Sequence, residues 1–168
     1  MTARTNLPFI LRVQDYERNI NAAQGYSELG MHDEALLELD AIPAPMSRRP
    51  ELVEMRLLIL MHARRWKQAL PVARRLCEVS PDASGGYIHA AFCLHELGRT
   101  REAREVLLKG PPCLLNEAVF YYNLACYDVA LGDREQAVEN LERSFRMDKK
   151  FRQFAQTDPD LAAIRSML

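Results

Sequence analysis

The sequence predicts an all-α protein assembled from repeated helix–turn–helix units. Apolar residues recur at helical spacing through long stretches rich in Leu, Ala, Glu and Arg, which are strong helix formers. No stretch alternates cleanly at period two, as a half-buried strand would. An alanine also returns at Ala35, Ala69, Ala103 and Ala137, always 34 residues on, and the turn position returns at Gly30, Arg64, Gly98 and Gly132 with the same interval.

Each unit follows the same local logic. In the first helix, small residues at Ala23, Ala91 and Ala125 permit close approach of an antiparallel neighbour. Larger residues nearby, such as Tyr87, Leu94, Tyr121 and Leu124, fill the grooves. A glycine then takes the left-handed C′ position and reverses the chain. The second helix starts at a capping residue, best seen at Asp133 with Gln136 three places on. Pro50 followed by Glu51 reads as another helix start. Arg64 departs from the pattern: in a left-handed turn it costs roughly 1–2 kcal/mol that glycine avoids. The prolines of "AIPAPMSRRP" (41–50) end the second helix of the first unit early, and those of "KGPPCLL" (109–115) insert another sharp break at the end of the third.

A 34-residue period with two helices per unit resembles the tetratricopeptide repeat family. The resemblance covers residues 16–150 as four units, 16–49, 50–83, 84–117 and 118–150. It implies a right-handed α-solenoid, because one helix pair cannot bury its apolar face alone and stacking solves that. Residues 1–15 read as an N-terminal extension or an extension of the first helix. Residues 151–168 read as a capping helix that covers the end of the fourth unit with Phe151, Phe154, Leu161, Ile164 and Leu168. Asp158-Pro159 is its start signal, and tails of the "TDPDLAAIR" kind resemble the closing segment of many bacterial members.

Bulk properties narrow the function. At 168 residues the chain is long enough for one continuous core, and 48% hydrophobic with 27% charged residues is ordinary for a water-soluble globular protein. A net charge of −1 exerts no bulk pull on nucleic acid or anionic membrane. The first apolar run, 7–11, is too short to span a bilayer, so membrane insertion is not expected. Cys77, Cys93, Cys113 and Cys126 lack the close pairing of a zinc knuckle or disulfide framework, and the expected location is the cytoplasm.

Chemistry is sparse. His89 and Cys93 lie four apart on one helix, but no third ligand shares their register, and neither a metal nor any cofactor is expected. The glycine pair in "SGGY" (84–87) could cradle a phosphate at a helix start, but it reads better as an inter-repeat turn. Without a nucleophile–base pair or a phosphate-binding loop, an enzyme is not expected. A basic block at 48–75 surrounds Trp66, but only one aromatic interleaves it, so a nucleic-acid partner is not expected.

The resemblance implies that first helices of successive units line a concave groove that holds peptides or protein segments. Carried onto this chain, the groove positions are Ile20, Gln24 and Ser27, then Glu54, Leu58, Met61 and His62. They continue with Ile88, His89, Phe92 and His95, then Tyr122, Asn123, Cys126 and Val129. An apolar surface with a polar rim is the composition of a binding patch. The expected role is therefore a non-catalytic protein-interaction adaptor or scaffold with a protein or peptide partner. The two-carboxylate clamp of chaperone-tail binders is absent, since its slots hold Ile20, Gln24, Gly85 and His89. Alternatives are a chaperone of a secreted hydrophobic protein, a self-associating repeat protein, occlusion of the groove by residues 7–13, and a homodimer through that segment or the groove. Asp128 stands where the other units have Tyr26, Leu60 and Leu94, and is expected to face the tail and pair with Lys150 or Arg152.

Overall fold

The computed structural model describes residues 9–44 and 46–167, with side chains from Tyr16 onward. The chain divides into two compact units, one ending at Arg65 and the other running from Trp66. That division falls inside the second repeat, between its two helices.

The first unit contains α1 (Phe9–Glu28), α2 (His32–Asp40), a short 3-10 turn (Met46–Arg48) and α3 (Pro50–His62). Its core joins Ala23, Ala35, Leu39, Ile42, Leu52 and Ile59, with Tyr16, Ile20, Tyr26, Leu36, Met46 and Met55 packed against it. The second helix stops at Asp40, just ahead of Pro43, and Pro50 occupies the first turn of α3.

The second unit contains α4 (Trp66–Val79), α5 (Ser84–Glu96), α6 (Thr100–Leu108), a 3-10 turn (Pro112–Asn116), α7 (Ala118–Leu131) and α8 (Arg134–Met147). It closes with α9 (Lys150–Thr157) and a 3-10 segment (Pro159–Met167). The tail is therefore two pieces broken at Asp158-Pro159 rather than one capping helix. Proline cannot donate at that point, and Asp158 turns its side chain to accept the Asp160 N–H at 2.9 Å.

The 34-residue period is visible in burial. Ala35, Ala69, Ala103 and Ala137 are each 0% exposed, as are Ala23, Leu57, Ala91 and Ala125 at the matching first-helix position. Gly30, Arg64, Gly98 and Gly132 all take positive φ, at 75°, 54°, 74° and 91°. Each turn closes with the same Schellman bond, from Met31, Arg65, Arg99 and Asp133 N–H to the carbonyls of Tyr26, Leu60, Leu94 and Asp128. Their lengths are 2.8, 2.8, 2.9 and 2.8 Å.

The capping box at α8 is only half formed. Asp133 accepts the Gln136 N–H at 3.1 Å, but the Gln136 side chain donates to Glu139 instead. The N–H that Gln136 would have accepted from is already bonded to the Asp128 carbonyl.

Candidate binding groove

In the first unit α1 and α3 leave a groove of about 310 Å³ between them. Gln24, Ser27 and Glu28 line it from α1; Glu51, Glu54, Met55, Leu58, Ile59 and His62 line it from α3. Helical spacing explains the set: Gln24 and Glu28, Glu51 and Met55, and Leu58 and His62 are each four apart and share a face. Met55, Leu58 and Ile59 form an apolar floor, and Glu28, Glu51 and Glu54 stand exposed around it. Gln24 donates to Glu28 Oε1 at 3.0 Å along the α1 wall.

Of the positions expected in this region, Gln24, Ser27, Glu54, Leu58 and His62 come together in the groove. Ile20 does not; it packs against the core of the first unit, one turn back from the opening. Met61 is half-buried and also outside the lining. Glu28 and Glu51 were absent from the expected set, although their (i, i+4) relation to Gln24 and Met55 was readable in the sequence. Residues 7 and 8 of the proposed occluding segment lie outside the described residues, as do the side chains of 9–13.

In the second unit the corresponding first-helix faces are largely engaged by the chain itself. Phe92 packs edge-to-face on Trp66 with ring centroids 5.6 Å apart, which gives the lone tryptophan a packing role. His95 Nδ1 lies 3.0 Å from Thr100 Oγ1 and Nε2 lies 3.2 Å from Asp160 Oδ2. Its ring also lies against Tyr127, 4.9 Å between centroids. Ile88 and His89 are half-buried, as are Asn123 and Val129.

Tyr122 and Cys126 are 7% and 5% exposed, covered by the tail. The Tyr122 hydroxyl donates to Asp158 Oδ2 at 2.7 Å, and its ring sits 5.0 Å from that of Phe151. Leu161 and Ile164 are each 0% exposed, so the tail seats two apolar anchors. Burial pushes the Tyr122 phenol well above its ordinary range, and the bond to Asp158 adds to that.

Cys126, Asp158 and Asp160 bring one donor atom each within 4.8 Å of one another. Both carboxylates already accept bonds, Asp158 from Tyr122 and Asp160 from the His95 side. Burial and the two carboxylates push the Cys126 thiol far above its usual value, so at neutral pH it stands as an uncharged thiol. The Cys93 thiol, 0% exposed, is likewise pushed up to about 11 by burial. The His89–Cys93 pair thus holds a buried, protonated thiol on one side.

Asp128 does not face the tail. Its Oδ1 accepts from Arg104 Nε at 2.7 Å and its Oδ2 from Asn140 Nδ2 at 2.8 Å. Lys150 pairs with Asp148 at 2.8 Å, and the Arg152 guanidinium lies over the Phe145 ring. The reason is angular: Asp128 is two residues past Cys126, about 200° around the helix from the face the tail covers.

Residues 118–151 match the tetratricopeptide repeat family profile. Those residues carry a tetratricopeptide repeat. The matched span contains α7 and α8, the helices closed by the tail. No curated protein matches the chain in sequence. Among solved structures it resembles MamA from Desulfovibrio magneticus RS-1, with a TM-score of 0.74 at 17% identity over 91% of this chain and 85% of that one. A second MamA crystal structure gives 0.74 at 12% identity over 92% and 86%. YrrB, described as a repeat protein of this family with an unusual peptide-binding site, gives 0.68 at 22% identity over 91% and 75%. At such identities the likeness concerns the fold, an all-α arrangement of helix–turn–helix repeats. No helix among the described residues is long and apolar enough to cross a membrane.

Proposed function

We propose that this repeat protein is a non-catalytic interaction scaffold that captures a peptide or protein segment in the groove between α1 and α3. The observation that carries the reading is the groove's composition: Met55, Leu58 and Ile59 in the floor and carboxylates and amide at the rim. Met55 and Leu58 are only half-buried, and an apolar centre inside a polar rim is the anatomy of a binding patch. The peptide-binding site described for YrrB supports the same use of this fold.

The test is a displayed peptide library selected on the wild-type chain. Selected peptides are expected to bind wild type and to lose binding to Leu58→Glu, whose melting curve serves as the folding control. Equal binding to both proteins would overturn the reading.

A further inference from the structure

We propose that the segment held by the α1–α3 groove is cationic and amphipathic, an apolar anchor flanked by Lys or Arg. This rests on the groove reading above and adds the chemistry of the partner.

Three carboxylates, Glu28, Glu51 and Glu54, line the groove, and among the described residues no Lys or Arg does. Two bases of the first unit are engaged elsewhere: Arg56 holds Asp40 at 2.6 Å and Arg65 holds Asp33 at 2.6 Å. Among the described residues neither Glu51 nor Glu54 has an ion-pair or hydrogen-bond partner. The acids of α2 are thus matched in part by local bases, while those around the apolar floor are left facing outward.

A concave, low-dielectric wall with charges of one sign focuses their field. An incoming ammonium or guanidinium beside an apolar anchor gains from both the floor and the rim. A carboxylate in the same place meets three like charges, so the site rejects acidic segments as well as favouring basic ones. Rim charges exposed to solvent act over roughly a Debye length, about 10 Å at 0.1 M salt, which makes the selectivity salt-dependent.

The experiment uses the full chain and two labelled helical peptides with the same leucine anchors, one flanked by lysines and one by glutamates. The lysine peptide is expected to bind at least about fivefold tighter at low salt, as two or three exposed pairs allow. That ratio should shrink toward one in 0.5 M NaCl (about 4 Å screening) and in the Glu51→Gln/Glu54→Gln protein. Both peptides should lose binding to Leu58→Glu.

A ratio below about fivefold, with both peptides still sensitive to Leu58→Glu, overturns the cationic inference and leaves the groove reading standing. Binding by neither peptide, or binding indifferent to Leu58→Glu, overturns both. Binding of the lysine peptide only after deletion of residues 1–8 makes the chain's own front segment the occupant and overturns the partner assignment. A homodimer in sedimentation that Leu58→Glu dissolves does the same in favour of a second copy.

Discussion

Arg104 donates to Asp128 across α6 and α7 at 2.7 Å, and the Asp128 carboxylate is almost fully buried at 2% side-chain exposure while Arg104 keeps 36%. Asn140 of α8 donates to the other oxygen, so one carboxylate ties three helices together. The arrangement occupies the position that Leu60 and Leu94 fill with hydrocarbon in the preceding repeats, both buried.

The first prediction follows from that asymmetry. Arg104→Ala strands a buried carboxylate with one amide partner and is expected to cost about 3 kcal/mol, whereas Asp128→Leu leaves Arg104 free to reach water and is expected to lie within about 1 kcal/mol of wild type. In the Asp128→Leu background, Arg104→Ala should cost little. Urea unfolding of the four proteins of this cycle measures the coupling. A full cost of Arg104→Ala in both backgrounds would reject the pairing as its cause.

Arg64 holds φ 54° at a turn where the other three repeats use glycine. Non-glycine residues carry a penalty of roughly 1–2 kcal/mol there, part of which glycine returns through the entropy of the unfolded chain. Arg64→Gly is expected to gain about 1 kcal/mol, or about 2–4 °C in Tm for a chain of this size. Thermal melts by circular dichroism check it, and an unchanged or lower Tm counts against the strain argument.

The repeats were legible in the sequence because they are local. Ala35, Ala103 and Ala137 report a contact within a helix pair, and Gly30, Gly98 and Gly132 report a turn closed within six residues. What lay beyond reach is long-range pairing. Arg104 is 24 residues from Asp128, and neither periodicity nor charge singles it out from the bases nearer in sequence. Of the tail residues expected to cover the end of the preceding repeat, Leu161 and Ile164 are buried, Phe154 is 54% exposed and Leu168 lies outside the described residues. The same reading assigned Tyr122 and Cys126 to an open wall and Asp128 to the tail, although Cys126 and Asp128 point to different sides of α7. Two residues apart on a helix is about 200° of rotation, so one face cannot hold both. Of the three rim carboxylates of the α1–α3 groove, only Glu54 stands among the expected positions.

Gly86 sits in the first turn of α5, where an added Cβ would come within 2.8 Å of the Cys77 backbone nitrogen and 2.9 Å of its Sγ. The glycine pair thus serves the close approach of α5 to α4 as well as the turn into the helix. Gly86→Ala is expected to destabilise by about 1–3 kcal/mol, the range for overpacking a rigid neighbour. Cys77→Ala added to it should recover only part, because the backbone contact remains. Full recovery, read from denaturation midpoints, would place the conflict at the sulfur alone.

The tail gives the last prediction, through the bond between His95 and Asp160. That hydrogen bond holds the Asp160 carboxyl below the usual aspartate range, with the histidine's charge helping and partial burial opposing. A carboxyl depressed in the folded state contributes stability that is fully present above its unfolded pKa, about 3.9, and is lost as pH falls through the lower folded value. Grip on the tail should therefore weaken below about pH 4. The groups around the bond are Asp158, Tyr122 and Cys126, and of these the phenol and thiol stay protonated throughout that range because burial raises both. The methyl resonance of Ile164, 0% exposed under the tail, reports the seating. It is expected to shift toward its exposed position on acidification in wild type. In Asp160→Asn it should sit partway there at neutral pH and respond less to acid. Identical acid profiles for the two proteins would remove Asp160 as the group that couples the tail to pH.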